Sequence, residues 1–390
     1  MPTETAPSPV NAPDTVPLFD VRLTDADLEA VAQTLRSGWL SMGPRTQEFE
    51  RAFAAQLGVA HAVALSSATA ALHLAYLTAG VGPGDEVIVP SYTFVATAAA
   101  VRYCGATPVF ADILGAHDLS IDPDAVRRCL SPRTKAVACV HFAGYPAQVA
   151  LLAQLCEEHG IALIEDAAHA PSGAVDGRKL GSWGRAAAFS LFSNKILSVG
   201  EGGLLVTSDD AVAEKARSLR SHAMSTSTWE RHASGSGAYE VDDVGFNYRI
   251  DEPRSALALS RLERLDQDIA SHRRLTRAYR ERLREHPGLT LPFSDQSLEG
   301  SCCYLMPVLL SKAARREQVR EALRERHGVH TGIHYAPVHT FAAYRQGEGG
   351  VGLPVTEQVA AGELTLPLFA HMSDSQLDRV VSAIEAEVRA

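Results

Sequence analysis

The chain has 390 residues, 46% of them hydrophobic, with 29 Gly and 20 Pro, a globular composition long enough for one large unit and a smaller one. Its 46 acidic against 36 basic residues leave a net charge of -10, which opposes a sequence-independent grip on nucleic-acid phosphates or on an anionic membrane. No nucleic-acid and no membrane partner is expected.

Residues Met1–Pro17 are rich in Pro, Thr and Ser and lack the charged-then-apolar order of a signal peptide, so they read as a flexible arm on a cytoplasmic protein. Thr24, with Asp27 three residues on, predicts a capped amphipathic helix to about Ser37, and Pro44 opens a second helix that runs to Leu57. Strands are then expected at His61–Leu65, Glu86–Val89, Thr107–Ala111, Lys135–Val140, Ile161–Glu165, Ala186–Leu191 and Leu204–Thr207. Helices are expected between them at Thr69–Ala79, Val95–Tyr103, Pro123–Leu130 and Gln148–His159, and after them at Asp210–Ser221. This alternation predicts an α/β fold, in which a large unit (residues 18–255) holds a mostly parallel seven-stranded sheet covered by helices on both faces.

Met224–Gly237 reads as a long loop, and Glu252 to about Glu285 as one long helix. A strand (Cys303–Leu309), a helix (Ala313–His327), a short strand (Val329–Gly332) and a last helix (Asp374–Val388) then predict a smaller α+β unit over residues 256–390. Six cysteines show no C-x-x-C spacing, so neither a disulfide framework nor a metal site is expected.

Lysine is scarce. Only Lys135, Lys179, Lys195, Lys215 and Lys312 stand among the 36 basic residues, which raises the chance that one of them is kept for amine chemistry. Lys195 is the candidate, because Phe189–Leu191 before it and Gly200-Glu-Gly-Gly203 after it bracket it with an apolar strand and a glycine-rich turn. Desolvation there lowers the pKa and frees the amine to attack a carbonyl. Two further stretches stand at strand ends. Ser66-Ser67-Ala68-Thr69 turns a strand into a helix of small residues, which suits either an ordinary N-cap or a phosphate seat. Ile161–Glu165 delivers Glu165, Asp166 and then His169 to the edge where α/β sheets bind ligands. Glu165 reads as structural, a cap for the helix that follows, whereas Asp166 reads as a carboxylate in need of a cation such as a protonated pyridine nitrogen.

Taken in order, these motifs resemble the DegT-type sugar aminotransferases, pyridoxal-phosphate (PLP) enzymes of the aspartate-aminotransferase fold. The likeness extends from about Leu18 to the C-terminus and includes Ser37-Gly-Trp-Leu-Ser-Met-Gly-Pro44, Pro90-Ser-Tyr-Thr-Phe94, Gly245-Phe-Asn-Tyr-Arg249, Gly332-Ile-His-Tyr335 and Leu353-Pro-Val-Thr-Glu357. The resemblance implies that Lys195 carries the cofactor as a Schiff base and that Asp166 pairs with its ring nitrogen. Phe94 would stack on the ring, with His169 beside it, while Ser67, Ala68, Thr69 and Ser190 hold the phosphate. Asn247 and Arg249 would reach the phosphate and substrate of the neighbouring subunit, making the active unit a homodimer, and His334 would line the substrate pocket. Glutamate or glutamine would be the donor and a nucleotide-linked keto deoxysugar, aminated at C4, the acceptor. A keto-inositol acceptor is the alternative; a dehydratase would carry histidine in place of Lys195, and a regulatory protein would not need all of Lys195, Asp166, Ser190 and Thr69. Ala68 stands where the family often has Gly, and Asn194 precedes Lys195 where many members have Asn after it, an order resembling the perosamine-synthase branch.

Overall fold

A computed structural model describes residues 15–226, 229, 239–345 and 352–388. Numbering only the strands of the two larger sheets, the large sheet contains β1 (His61–Leu65), β2 (Glu86–Pro90), β3 (Thr107–Ala111), β4 (Thr134–Val140), β5 (Ala162–Asp166), β6 (Ala186–Ser190) and β7 (Gly203–Thr207). Its order is β1-β7-β6-β5-β4-β2-β3, with every neighbouring pair parallel except the two that β7 makes. The seven expected strands are all present, displaced by no more than a residue at either end.

Alternate side chains of each strand enter opposite cores, as the pleat requires. Ala62, Ala64, Ile88, Val137, Leu163, Phe189 and Leu204 face one apolar cluster, and Val63, Leu65, Val87, Ala136, Ile164, Ala188 and Leu205 the other. Helices α1 (Asp25–Arg36), α2 (Pro44–Leu57), α3 (Ala68–Thr78), α4 (Ala96–Tyr103), α5 (Pro123–Cys129), α6 (Val149–Glu158) and α7 (Asp210–Arg220) surround the sheet. Phe49 and Phe53 of α2 cover the first face, while Leu72, Leu74 and Tyr76 of α3 cover the second. The capping box read at Thr24 and Asp27 is formed, with each side chain bonded to the other's backbone N–H.

The single long helix expected after Glu252 is two helices, α8 (Glu252–Leu262) and α9 (Leu265–Leu283). Arg264 leaves helical dihedrals at φ -110°, ψ 5°, where its guanidinium clasps the buried Asp27 carboxylate at 2.6 and 2.8 Å. Tertiary ion pairing thus breaks a segment whose local propensity is helical throughout. Helices α10 (Arg316–His327), α11 (Pro354–Gly362) and α12 (Asp374–Glu387) pack around a second sheet, β8 (Leu289–Thr290), β9 (Met306–Leu310) and β10 (Glu363–Leu366), antiparallel throughout. The short strand expected at Val329–Gly332 is absent. Val329 and Gly332 make single bridges to different partners, Val16 and Thr365. Val16 is only 1% exposed and its backbone bonds Gly328 and His330, so the last residues of the expected arm belong to this packed body. Met1–Asp14 and most of the Met224–Gly237 loop lie outside the described residues, and no described helix is long and apolar enough to cross a membrane.

Candidate active site

Because β1, β5 and β6 run the same way, Leu65, Asp166 and Ser190 all end at one edge of the sheet. Gly203, the first residue of the reversed strand β7, pairs with both Leu65 and Ser190 at that edge. A side chain at Gly203 would meet the Ser67 carbonyl carbon at 2.3 Å, so glycine is what lets β7 lie directly against the Ser67–Thr69 turn. Ser67 caps α3, accepting from the Ala70 N–H at 3.1 Å, which leaves the first N–H groups of α3 to face a ligand. The N-cap reading of this turn is thus the one that is formed.

Above this edge lies a cavity of about 410 Å³, lined by Ser67, Ala68, Thr69, Phe94, Asp166, His169, Ser190, Lys195 and His334, nine of the residues singled out in the sequence. Lys195 sits in the connection between β6 and β7, its N–H bonded to Phe192 and the following Ile196 carbonyl held by Arg261 at 3.0 Å. Its Nζ lies 4.3 Å from the Tyr304 ring centroid and donates to the Tyr304 hydroxyl at 3.3 Å. Burial pulls the amine down to about 7 against the opposing charge of Asp166. Near neutral pH a substantial fraction of the amine is therefore unprotonated and nucleophilic. Lys179 and Lys215 are engaged elsewhere, with Ser172 and Asp243.

Asp166 is 5% exposed; its carboxylate accepts from Thr97 Oγ1 at 2.7 Å and from the Ala168 N–H at 3.2 Å. Burial raises its pKa, while those two donors and the Lys195 charge act in the opposite sense. Glu165, 0% exposed, faces the other way. It takes backbone N–H groups from Gly181, Trp183 and Gly184, each at 2.7 Å, and meets His141 Nε2 at 3.0 Å. Its structural role is to bind the 181–184 turn rather than to cap a helix.

His169 accepts the Ala143 N–H on Nδ1 at 3.2 Å, and burial pulls its pKa far down. The neutral ring thus carries its proton on Nε2, which donates to the Tyr335 hydroxyl at 3.1 Å. Ala143 adopts a left-handed φ of 55°, which aims its N–H at His169 while its carbonyl accepts from Tyr304 N–H at 2.8 Å. Phe94, 54% exposed, stands at the mouth and meets Tyr335 at a centroid distance of 5.7 Å.

Asn247 and Arg249 do not line the cavity. Their segment returns to its own sheet, with Ser66 N–H donating to the Tyr248 carbonyl at 2.8 Å and Ser221 bridging Asn247. Asn247 is exposed. Sequence reasoning passed over Thr97, Tyr304 and Tyr335. Tyr335 ends the quoted Gly332-Ile-His-Tyr motif and Thr97 follows the Phe94 motif by three residues, but Tyr304, next to the Cys302–Cys303 pair, has no local signal.

The chain matches the DegT/DnrJ/EryC1/StrS aminotransferase family over residues 21–385. It is 39% identical over 368 residues to the spore coat polysaccharide biosynthesis protein SpsC of Bacillus subtilis (strain 168), covering 93% of this chain and 94% of that one. Among solved structures, the aminotransferase TlmJ from Streptoalloteichus hindustanus superposes with a TM-score of 0.88 at 36% identity, covering 96% of this chain and 98% of that one. DesI, solved in the presence of its TDP-sugar product, gives 0.85 at 35% identity, with 96% and 93% covered. The chain belongs to the DegT/DnrJ/EryC1/StrS aminotransferase family and is an aminotransferase that works with pyridoxal phosphate.

Proposed function

We propose that this enzyme moves an amino group from glutamate or glutamine to the C4 keto group of a nucleotide-linked deoxysugar. The observation that carries the reading is the single cavity in which a depressed lysine amine faces a buried carboxylate that has no guanidinium partner. The residues fit PLP. The α3 N-terminus, Ser67, Thr69 and Ser190 offer donors for a phosphate, and Asp166 offers the counter-charge that a protonated pyridine nitrogen needs. The likeness to DesI, solved in the presence of its TDP-sugar product, supports the substrate class.

PLP supplies an electron sink for the pair left behind when a C–H bond at the amine-bearing carbon is broken. Lys195 performs the proton work: with its pKa near 7, Nζ can take a proton from that carbon and return one to an adjacent position without leaving the cavity. Tyr304 holds Nζ between transfers, its hydroxyl accepting the amine N–H. Asp166, fixed by Thr97 and Ala168, keeps negative charge at the deep end of the cavity, and His169 holds the Tyr335 hydroxyl at its wall. Phe94 and Phe192 leave a partly exposed apolar rim, and Asn247 lies outside it. We assign Asn247 and Arg249 to the neighbouring subunit's site in a homodimer.

The test is a panel of nucleotide keto sugars, with a keto-inositol included, offered with glutamate or glutamine and followed by mass detection of the amino product. A C4-amino nucleotide sugar is expected. Amination of the keto-inositol alone would replace the sugar assignment, and product at another carbon would correct the position.

A further inference from the structure

Glu363, on β10, is a buried carboxylate that the account so far leaves unused. It is 0% exposed, yet it lies one residue from the cavity wall. The His334 N–H donates to Oε2 at 2.8 Å, Oε1 lies 2.5 Å from Thr365 Oγ1, and that hydroxyl lies 2.8 Å from His334 Nδ1. Three side chains therefore form one relay ending at a cavity-lining imidazole. With Nδ1 committed to Thr365, Nε2 is the ring nitrogen left for a ligand.

We propose that Glu363, acting through Thr365, sets the hydrogen-bonding polarity of His334 toward the amino-acceptor substrate, and that in its acid form it makes the ring present an N–H to an oxygen of that substrate. The substrate half of this statement rests on the reading given under Proposed function.

Thr365 has one hydroxyl proton. When Glu363 is ionised, that proton goes to Oε1, so Thr365 must accept from an Nδ1–H and Nε2 is bare. When Oε1 carries a proton, the acid donates to Thr365, whose own proton turns to Nδ1, and the ring proton resides on Nε2. The two states differ by one proton, released on the cavity side at Nε2 while the other two shift along the relay. The ring stays neutral in both, because burial pulls His334 down to about 4.

Other groups face the relay. Arg316 is the cation that favours Glu363 ionisation, but its guanidinium donates to the Ala360 carbonyl at 2.6 Å, and among the described residues Glu363 has no ion pair. Tyr92 and Tyr335 face Glu363 with hydroxyls that burial keeps protonated, while Lys195 and His169, the latter kept neutral by burial, face His334. Burial without an ion-pair partner pushes Glu363 up to about 8, so the acid form prevails at neutral pH. Glu363 and Thr365 are thus positioning residues, and His334 is the residue that meets substrate.

The test uses holoenzyme labelled with 15N-histidine, the His334 signals being assigned with His334→Gln. At about pH 6 the Nε2–H tautomer is expected, inverting to Nδ1–H as the pH passes through about 8. In Glu363→Gln the amide donates to Thr365 at every pH, so Nε2–H should persist to about pH 10. One unchanging tautomer in the wild type, or an inversion that survives in Glu363→Gln, overturns the proposal; if the variant does not fold, the wild-type titration decides alone. Turnover gives the second readout. Above pH 8 the acceptor half-reaction of the wild type should fall about tenfold below that of Glu363→Gln, the size of one lost hydrogen bond, while the donor half-reaction stays equal. Should no keto sugar prove to be a substrate, the tautomer result still stands or falls by itself.

Discussion

Glu165 and Asp166 are adjacent carboxylates on one strand, both buried, and their surroundings differ in kind. Glu165 is saturated: three backbone N–H groups of the 181–184 turn and His141 surround its two oxygens. Asp166 has two donors and, across the cavity, an amine it does not touch. Strand alternation sends one carboxylate into the packed body and the other toward the open edge of the sheet. A buried charge that is fully bonded holds a fold together, whereas one left short of partners is poised for a ligand that brings the missing charge. Burial alone does not distinguish them; the partner count does.

Substitutions can sharpen that contrast. The largest effect is expected at Lys195→Ala, which should lower turnover by at least about 10⁴-fold, since both covalent attachment and proton transfer are lost, with the fold retained by circular dichroism. Asp166→Asn should still bind PLP but slow the half-reaction with the amino donor by about 10² to 10³-fold, read by stopped-flow absorbance, with little change in denaturation midpoint. Glu165→Gln should behave in the opposite manner. Its amide turns donors toward N–H groups that need acceptors, so unfolding stability should drop by about 3 kcal/mol while half-reaction rates stay within about threefold. An Asp166 variant that unfolds with intact rates, or a Glu165 variant that is stable and slow, would invert the assignment.

A smaller effect tests the shared site. Inactive Lys195→Ala mixed with inactive Asn247→Ala, Arg249→Ala should recover about a quarter of wild-type activity, since half the dimers are mixed and one of the two sites in each is whole. No recovery after native mass spectrometry has shown subunit exchange would return those residues to their own subunit. The smallest effect is on pH. The Lys195 pKa is depressed on folding, so in the ligand-free enzyme the amine releases its proton as pH rises through about 7. PLP capture should therefore accelerate about tenfold per pH unit below that value and level off above it. The same depression means that the folded ligand-free chain binds fewer protons than the unfolded one between about 7 and the ordinary lysine value of 10.5, so Lys195 should make stability rise with pH across that window. Lys195→Met should remove this rise.

Much of the large sheet was legible because each strand is a short apolar run between turn signals, and the chemistry stood at strand ends, where Ser67, Asp166 and Ser190 are local to their elements. What was not legible depends on distant contacts. The break at Arg264 requires Asp27, 237 residues away in sequence. Strand β10 escaped because α11 runs into it at Gly362–Glu363 with no intervening loop. Tyr304 reaches Lys195 only through the left-handed turn at Ala143, which nothing around Cys302 or Cys303 announces. The relay from Glu363 to His334 likewise joins residues 29 and 31 positions apart through a bridge between Gly332 and Thr365.

The most direct test of the cavity as the cofactor site is borohydride reduction of purified yellow holoenzyme, followed by peptide mass mapping. The account predicts loss of the visible band and the reduced cofactor mass on the peptide that contains Lys195, in one copy per chain. Label on Lys135, Lys179, Lys215 or Lys312, with Lys195 unmodified, would contradict it.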